Sequence, residues 1–175
     1  MSTNETARRK HVVDLVRLLE DLRGSHEELL SLTERKTAAM RRADLAMMRS
    51  LGAAEQAMAA RIRERGGLRR QLMESIGAYV GTSRPNARVM TASQLAARLP
   101  EGEGQSVMKA ARALGATMAR VGKANRMARL ISGRVLTHLK AVFEAIRTPD
   151  ESADGYSDGG GPVTRTDAIL FETVG

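Results

Sequence analysis

From residue 107 to residue 146, one row of positions steps by four and then three without a slip. It reads Val107, Ala111, Leu114, Met118, Val121, Asn125, Ala128, Ser132, Val135, Leu139, Val142 and Ile146, and ten of these twelve residues are apolar. A mean step of 3.5 residues held this long predicts one long helix with a coiled-coil seam. Leu130, Ile131, Leu136 and Phe143 widen the apolar face. One seam cannot bury itself, so the helix must meet other helices of the chain or another chain. Asn125 and Ser132 are the two polar positions in the row. Either they set register or partner choice, or the seam is exposed there.

The rest of the chain supplies helices to meet it. Val12, Leu15, Leu19, Leu22, His26, Leu29, Thr33, Lys36, Met40, Ala43 and Met47 also step by three and four, and no proline occurs before Pro85. This predicts a first helix over about 6–40. Asp44 is placed to cap a second helix over about 44–80, with Arg41 and Arg42 suiting the preceding C-terminus. The stripe of that second helix includes Leu51, Met58, Ile62, Leu72, Ile76 and Tyr79. Arg65 and Arg69 fall on the same stripe and Gly66-Gly67 interrupts it, which predicts a kink or a partly buried seam. Gly81 to Asn86 reads as a breaker. A short helical stretch over 91–99 follows, Glu101 to Gly104 reads as a loop, and the last helix spans 105–147.

The polar and apolar choices agree with this layout. Aromatic residues make up only 2% of the chain; its apolar positions are Leu, Met, Ala, Ile and Val, and Arg and Glu supply most of the polar ones. Leu, Met and Ala are strong helix formers, whereas sheets draw on aromatic and β-branched residues. The fold class is therefore all-α: an antiparallel helical hairpin, or three long helices in coiled-coil packing. The helical domain covers 1–148. After Pro149, residues 149–175 read as a flexible C-terminal tail, rich in Gly, Asp and Ser, with a small apolar cluster at Ile169, Leu170 and Phe171.

Several functions are set aside. There are no cysteines, so thiolate chemistry and Cys-based metal sites are excluded. His11, His26 and His138 form no His-x-x-x-His or Glu-x-x-His pair, and His26 reads as a packed or half-exposed helix histidine. Gly159 to Gly161 lacks the Lys-Ser/Thr of a phosphate loop. No cofactor, metal, small-molecule substrate or catalytic residue is implied, and the chain reads as a non-enzyme. No stretch reaches the roughly 20 apolar residues of a membrane span. The N-terminus has no apolar signal core, so a cytoplasmic location is the default. The net charge is +8, but bases alternate with acids along Arg17 to Arg23 and Arg61 to Arg65, as on solvated helix faces. Nucleic-acid binding is the weaker reading.

The order of elements resembles the FlgN family of flagellar type III export chaperones over nearly the whole chain. The resemblance rests on Asp44 opening the second helix, the 91–100 segment, Asn125 ahead of Leu130-Ile131, and a tail Tyr156 followed by Gly159. Two departures are Ala128, where many members carry a second Asn, and the basic balance. The resemblance implies a cytoplasmic chaperone for hook–filament junction proteins of the FlgK and FlgL types. It would hold their terminal helices and pass them to the membrane export gate. The client side chains would then lie against Asn125, Leu130, Val135, Leu139, Val142, Phe143 and Ile146. Ile169, Leu170 and Phe171 would order on binding, and Tyr156 is a candidate for docking at the gate. Two alternatives stay open: a structural coiled-coil adaptor, including a homo-oligomer that pairs its own seams, and a basic nucleic-acid-associated protein.

Overall fold

The computed structural model describes residues 3–147 and, among them, contains helices and no strand. Five helices follow in order: α1 (Thr3–Arg41), α2 (Leu45–Tyr79), α3 (Arg84–Val89), α4 (Ala92–Ala96) and α5 (Glu101–Arg147). The chain divides into two units, 1–137 and 138–175, with α5 entering both.

In the first unit, α1 and α2 form the expected antiparallel hairpin. Thr33 and Lys36 both bond Glu55, and Ser25 meets Arg65, so positions on α2 rise as those on α1 fall. The turn between them is a Schellman motif: Asp44 N–H donates to Ala39 O at 3.0 Å, and Ala43 N–H to Met40 O at 3.1 Å. Its left-handed position is filled by Ala43, at φ 54°, rather than by glycine. Such a conformation costs a Cβ-bearing residue about 1–2 kcal/mol. At the other end of α2, Thr82 N–H donates to Gly77 O at 2.8 Å across Gly81 at φ 69°, where no such cost arises. Asp44 caps α2 as the sequence predicts, its carboxylate accepting from Met47 N–H at 2.9 Å. Thr91 and Gln94 form a capping box at the start of α4.

α5 runs parallel to α1. Arg8 donates two bonds to the Glu103 carboxylate, at 3.2 and 3.3 Å, and Ser132 Oγ meets Met40 Sδ at 3.4 Å. The apolar core sits around the first half of α1: Val12, Leu15, Leu19 and Leu22 pack with Ile76, Leu95, Leu99, Val107 and Leu114. The interior nearer the Ala43 turn mixes Leu30, Leu51, Met58 and Val121 with polar groups. Ser25, Thr33, Thr37 and Thr117 are buried there, and the hydroxyls of Ser25, Thr37 and Thr117 bond the carbonyl four residues back. Lys36 pairs with Glu55, and half-buried Arg65 donates to Ser25 Oγ.

Three expectations are corrected. Residues 81–86 do not only break the chain: Pro85 lies in the first turn of α3, where its missing N–H is harmless. Residues 101–104 are the first turn of α5, not a loop. Gly104 is buried there because α4 comes so close that a Cβ would stand 2.6 Å from Ala96 O. Finally, α5 buries Val107, Leu114, Val121 and Ala128 of the expected seam but turns Met118, Asn125 and Ser132 outward. Ala110 and Thr117 are the buried residues between them, three rather than four positions on. α2 is helical straight through Gly66-Gly67, and its seam is partly buried there: Ile62 and Arg65 are half-buried and Arg69 is exposed.

Two glycines give a paired prediction. Gly24 is exposed within α1 with nothing near its absent side chain, so Gly24→Ala should raise stability by about 0.5–1 kcal/mol. Gly104→Ala should lower it by about 1–3 kcal/mol, because a methyl group is forced onto a backbone carbonyl. Urea unfolding followed by circular dichroism measures both, and equal effects would contradict the α4–α5 approach described here.

Candidate protein-binding surface

Past the apolar core, α5 carries large apolar side chains that the protein does not cover. In the first unit these are Met118, Met127, Leu130, Val135 and Leu136. Met118 and Met127 lie outside the buried row of α5, and beyond Ser132, which meets Met40, α5 runs past the end of α1 at Arg41. In the second unit, the described residues are the last turns of α5, 138–147, and all are exposed. Leu139 is 47% accessible, Phe143 66% and Ile146 75%, with Val142 exposed between them. A solvated helix of this kind gains nothing from Leu, Phe and Ile on its surface, and contiguous exposed apolar side chains mark interaction sites.

The expected site residues therefore fall into three sets. Leu130 and Val135 are exposed apolar residues of the first unit, and Leu139, Val142, Phe143 and Ile146 are exposed apolar residues of the second. Asn125 is exposed too, so it does not act as a buried polar position in the α1–α5 packing. Tyr156, Ile169, Leu170 and Phe171 lie outside the described residues. Met127 was passed over for the site by sequence reasoning, since a helix methionine is more often core than surface. The histidines have ordinary surroundings: His26 Nδ1 lies 2.8 Å from Leu22 O within its own helix, and the His11 ring stands 5.9 Å from that of Tyr79.

The decisive comparison is with known families, where the FlgN protein family matches residues 11–164. The chain belongs to the FlgN family. That match takes in α1 through α5, including every helix turn that exposes apolar side chains. Membership in FlgN implies a role in flagellar protein export as a chaperone. No curated protein and no solved structure shows significant similarity to the chain. No helix among the described residues is long and apolar enough to cross a membrane.

Proposed function

We propose that this FlgN-family chain is a non-catalytic chaperone that binds hook–filament junction proteins of the FlgK and FlgL types in the cytoplasm and delivers them to the flagellar export gate. The observation that carries the reading is the run of exposed Leu, Val, Phe and Ile side chains on α5 from Leu130 to Ile146. A client's terminal helix would lay its apolar stripe against these residues, the helix-in-groove mode of recognition. In the second unit Leu139, Val142 and Ile146 offer knobs at steps of three and four, which is the spacing a second helix can match. Ile169, Leu170 and Phe171 add apolar contacts to the client, and Tyr156 contacts the gate.

The test is a pull-down from the cytoplasm of flagellated cells, with the full chain and with a chain lacking residues 150–175 as baits. Mass spectrometry should identify a junction protein with the full chain, in reduced yield with the shortened one. Thermal unfolding of the two baits should agree, since the apolar core lies within Val12–Leu114. Recovery of the chain alone would favour the coiled-coil adaptor, and recovery of nucleic acid alone the nucleic-acid reading.

A further inference from the structure

The charge of this chain is not spread over its helices. Between Glu103 and Glu144, α5 holds eight Lys or Arg residues and no Asp or Glu, and all eight are exposed. The whole chain has 28 basic and 20 acidic residues. Removing this stretch leaves 28 − 8 = 20 basic against 20 acidic residues, so everything else sums to zero. A charge equal to the chain's whole net +8 thus stands on one stretch of α5, the same helix that exposes the large apolar side chains. Elsewhere charges are matched by contacts such as Arg8–Glu103, Lys36–Glu55 and Arg88–Glu74.

Basic and apolar side chains are also immediate neighbours on α5. Arg126, Leu130 and Arg134 follow one another at four-residue spacing in the first unit, and Lys140 and Phe143 stand three apart in the second. Phosphate-directed surfaces need the cations but not the uncovered Leu, Val and Ile side chains, which a duplex would leave in water. A stripe stepping by three and four is one helix wide.

We infer that the α5 surface selects an acidic amphipathic helix: a client segment whose apolar stripe is bordered by Asp and Glu rather than by Lys and Arg. This rests on the client-binding reading above and adds to it the charge of the client. Complementary charge would act first on encounter and on rejection of wrong partners, with the apolar stripe supplying the lasting contact.

Two labelled synthetic helices of about 20 residues, alike in their Leu stripe but bordered by Glu in one and Lys in the other, test this against the full chain. Fluorescence anisotropy at low salt should show the Glu helix binding at least about tenfold more tightly, and the gap should close toward about 1 M salt as screening shortens the reach of charge. The triple variant Arg126→Glu, Arg134→Glu, Lys140→Glu, with unchanged circular dichroism, should reverse the preference. Equal binding of both helices would overturn the charge inference while leaving helix binding intact. Binding of neither would overturn the client-binding reading itself. Tighter binding of duplex DNA or of phosphatidylserine vesicles than of the Glu helix would overturn the choice of occupant.

Discussion

The double variant Leu139→Asp, Phe143→Asp is expected to lose client binding while melting like the parent chain. Both side chains are exposed, at 47% and 66%, and neither belongs to the apolar core. Surface substitutions away from caps, cores and buried pairs change stability by no more than about 0.5 kcal/mol. The effect on binding is of another order. An apolar anchor in the centre of an interface is worth about 1–2 kcal/mol or more, and a carboxylate in its place must be desolvated against apolar surface. Losing two anchors should weaken a junction-protein complex by a factor of about 100 or more. Anisotropy with a labelled client terminal helix measures the loss, and circular dichroism the fold. A variant that folds and binds normally would rule out the last turns of α5 as the client surface. A melting temperature lowered by many degrees would mean that these side chains are covered in solution, as in a self-paired seam.

The second large effect is in the core. Leu15→Ala should lower the free energy of unfolding by about 2–5 kcal/mol. Leu15 is 1% accessible and lies in the cluster with Leu19, Ile76, Leu95 and Val107, residues from α1, α2, α4 and α5. Truncation there leaves a cavity that three further helices must collapse to fill. A domain with a total stability of about 5–15 kcal/mol would lose a large fraction of it. The urea midpoint should fall with little change in the slope. Leu45→Ala, at an exposed leucine, is the control and should stay within about 0.5 kcal/mol. A Leu15 variant no weaker than that control would disprove the packing of α5 against the hairpin.

The three long helices, the hairpin and the capping Asp44 were legible because each rests on local chemistry: periodicity, proline spacing and a side chain that bonds its own N–H groups; the short α3 was not, because Pro85 reads as a breaker. The seam of α5 was legible only by half. From Val107 onward both the third and the fourth position can be read as apolar or small, and residue size favours Met118 over Thr117. The interior takes Thr117, whose hydroxyl donates to Ala113 O at 3.3 Å and so arrives already bonded. Asn125 has no such route, because its amide offers two donors and an acceptor that one helix carbonyl cannot satisfy. It faces water instead. The misread loop at Gly102 and Gly104 has a different origin. Glycine there answers to the nearness of Ala96 O, a tertiary fact with no local signature. The concentration of charge on α5 was available in the sequence, but the alternating patterns at Arg17 to Arg23 and Arg61 to Arg65 hide it when the chain is read as a whole. The large apolar residues that α5 leaves exposed were legible because a regular row continues past the point where the hairpin ends.

The buried hydroxyls of Ser25, Thr33, Thr37 and Thr117 have a consequence for how the first unit breathes. Large side chains interlock around Leu15 and Ile76, whereas nearer the Ala43 turn Leu30, Leu51, Met58 and Val121 share the interior with hydroxyls, the Thr33 and Lys36 bonds to Glu55 and the Arg65–Ser25 contact. Each hydroxyl that bonds its own helix keeps that bond when the helices part. Parting the helices there breaks the Thr33, Lys36 and Arg65 bonds but leaves the Ser25, Thr37 and Thr117 hydroxyls bonded to their own helices. Sub-global opening is therefore expected to start at this end, and hydrogen exchange should find amide protection in α1 lower around Ala39 than around Leu15.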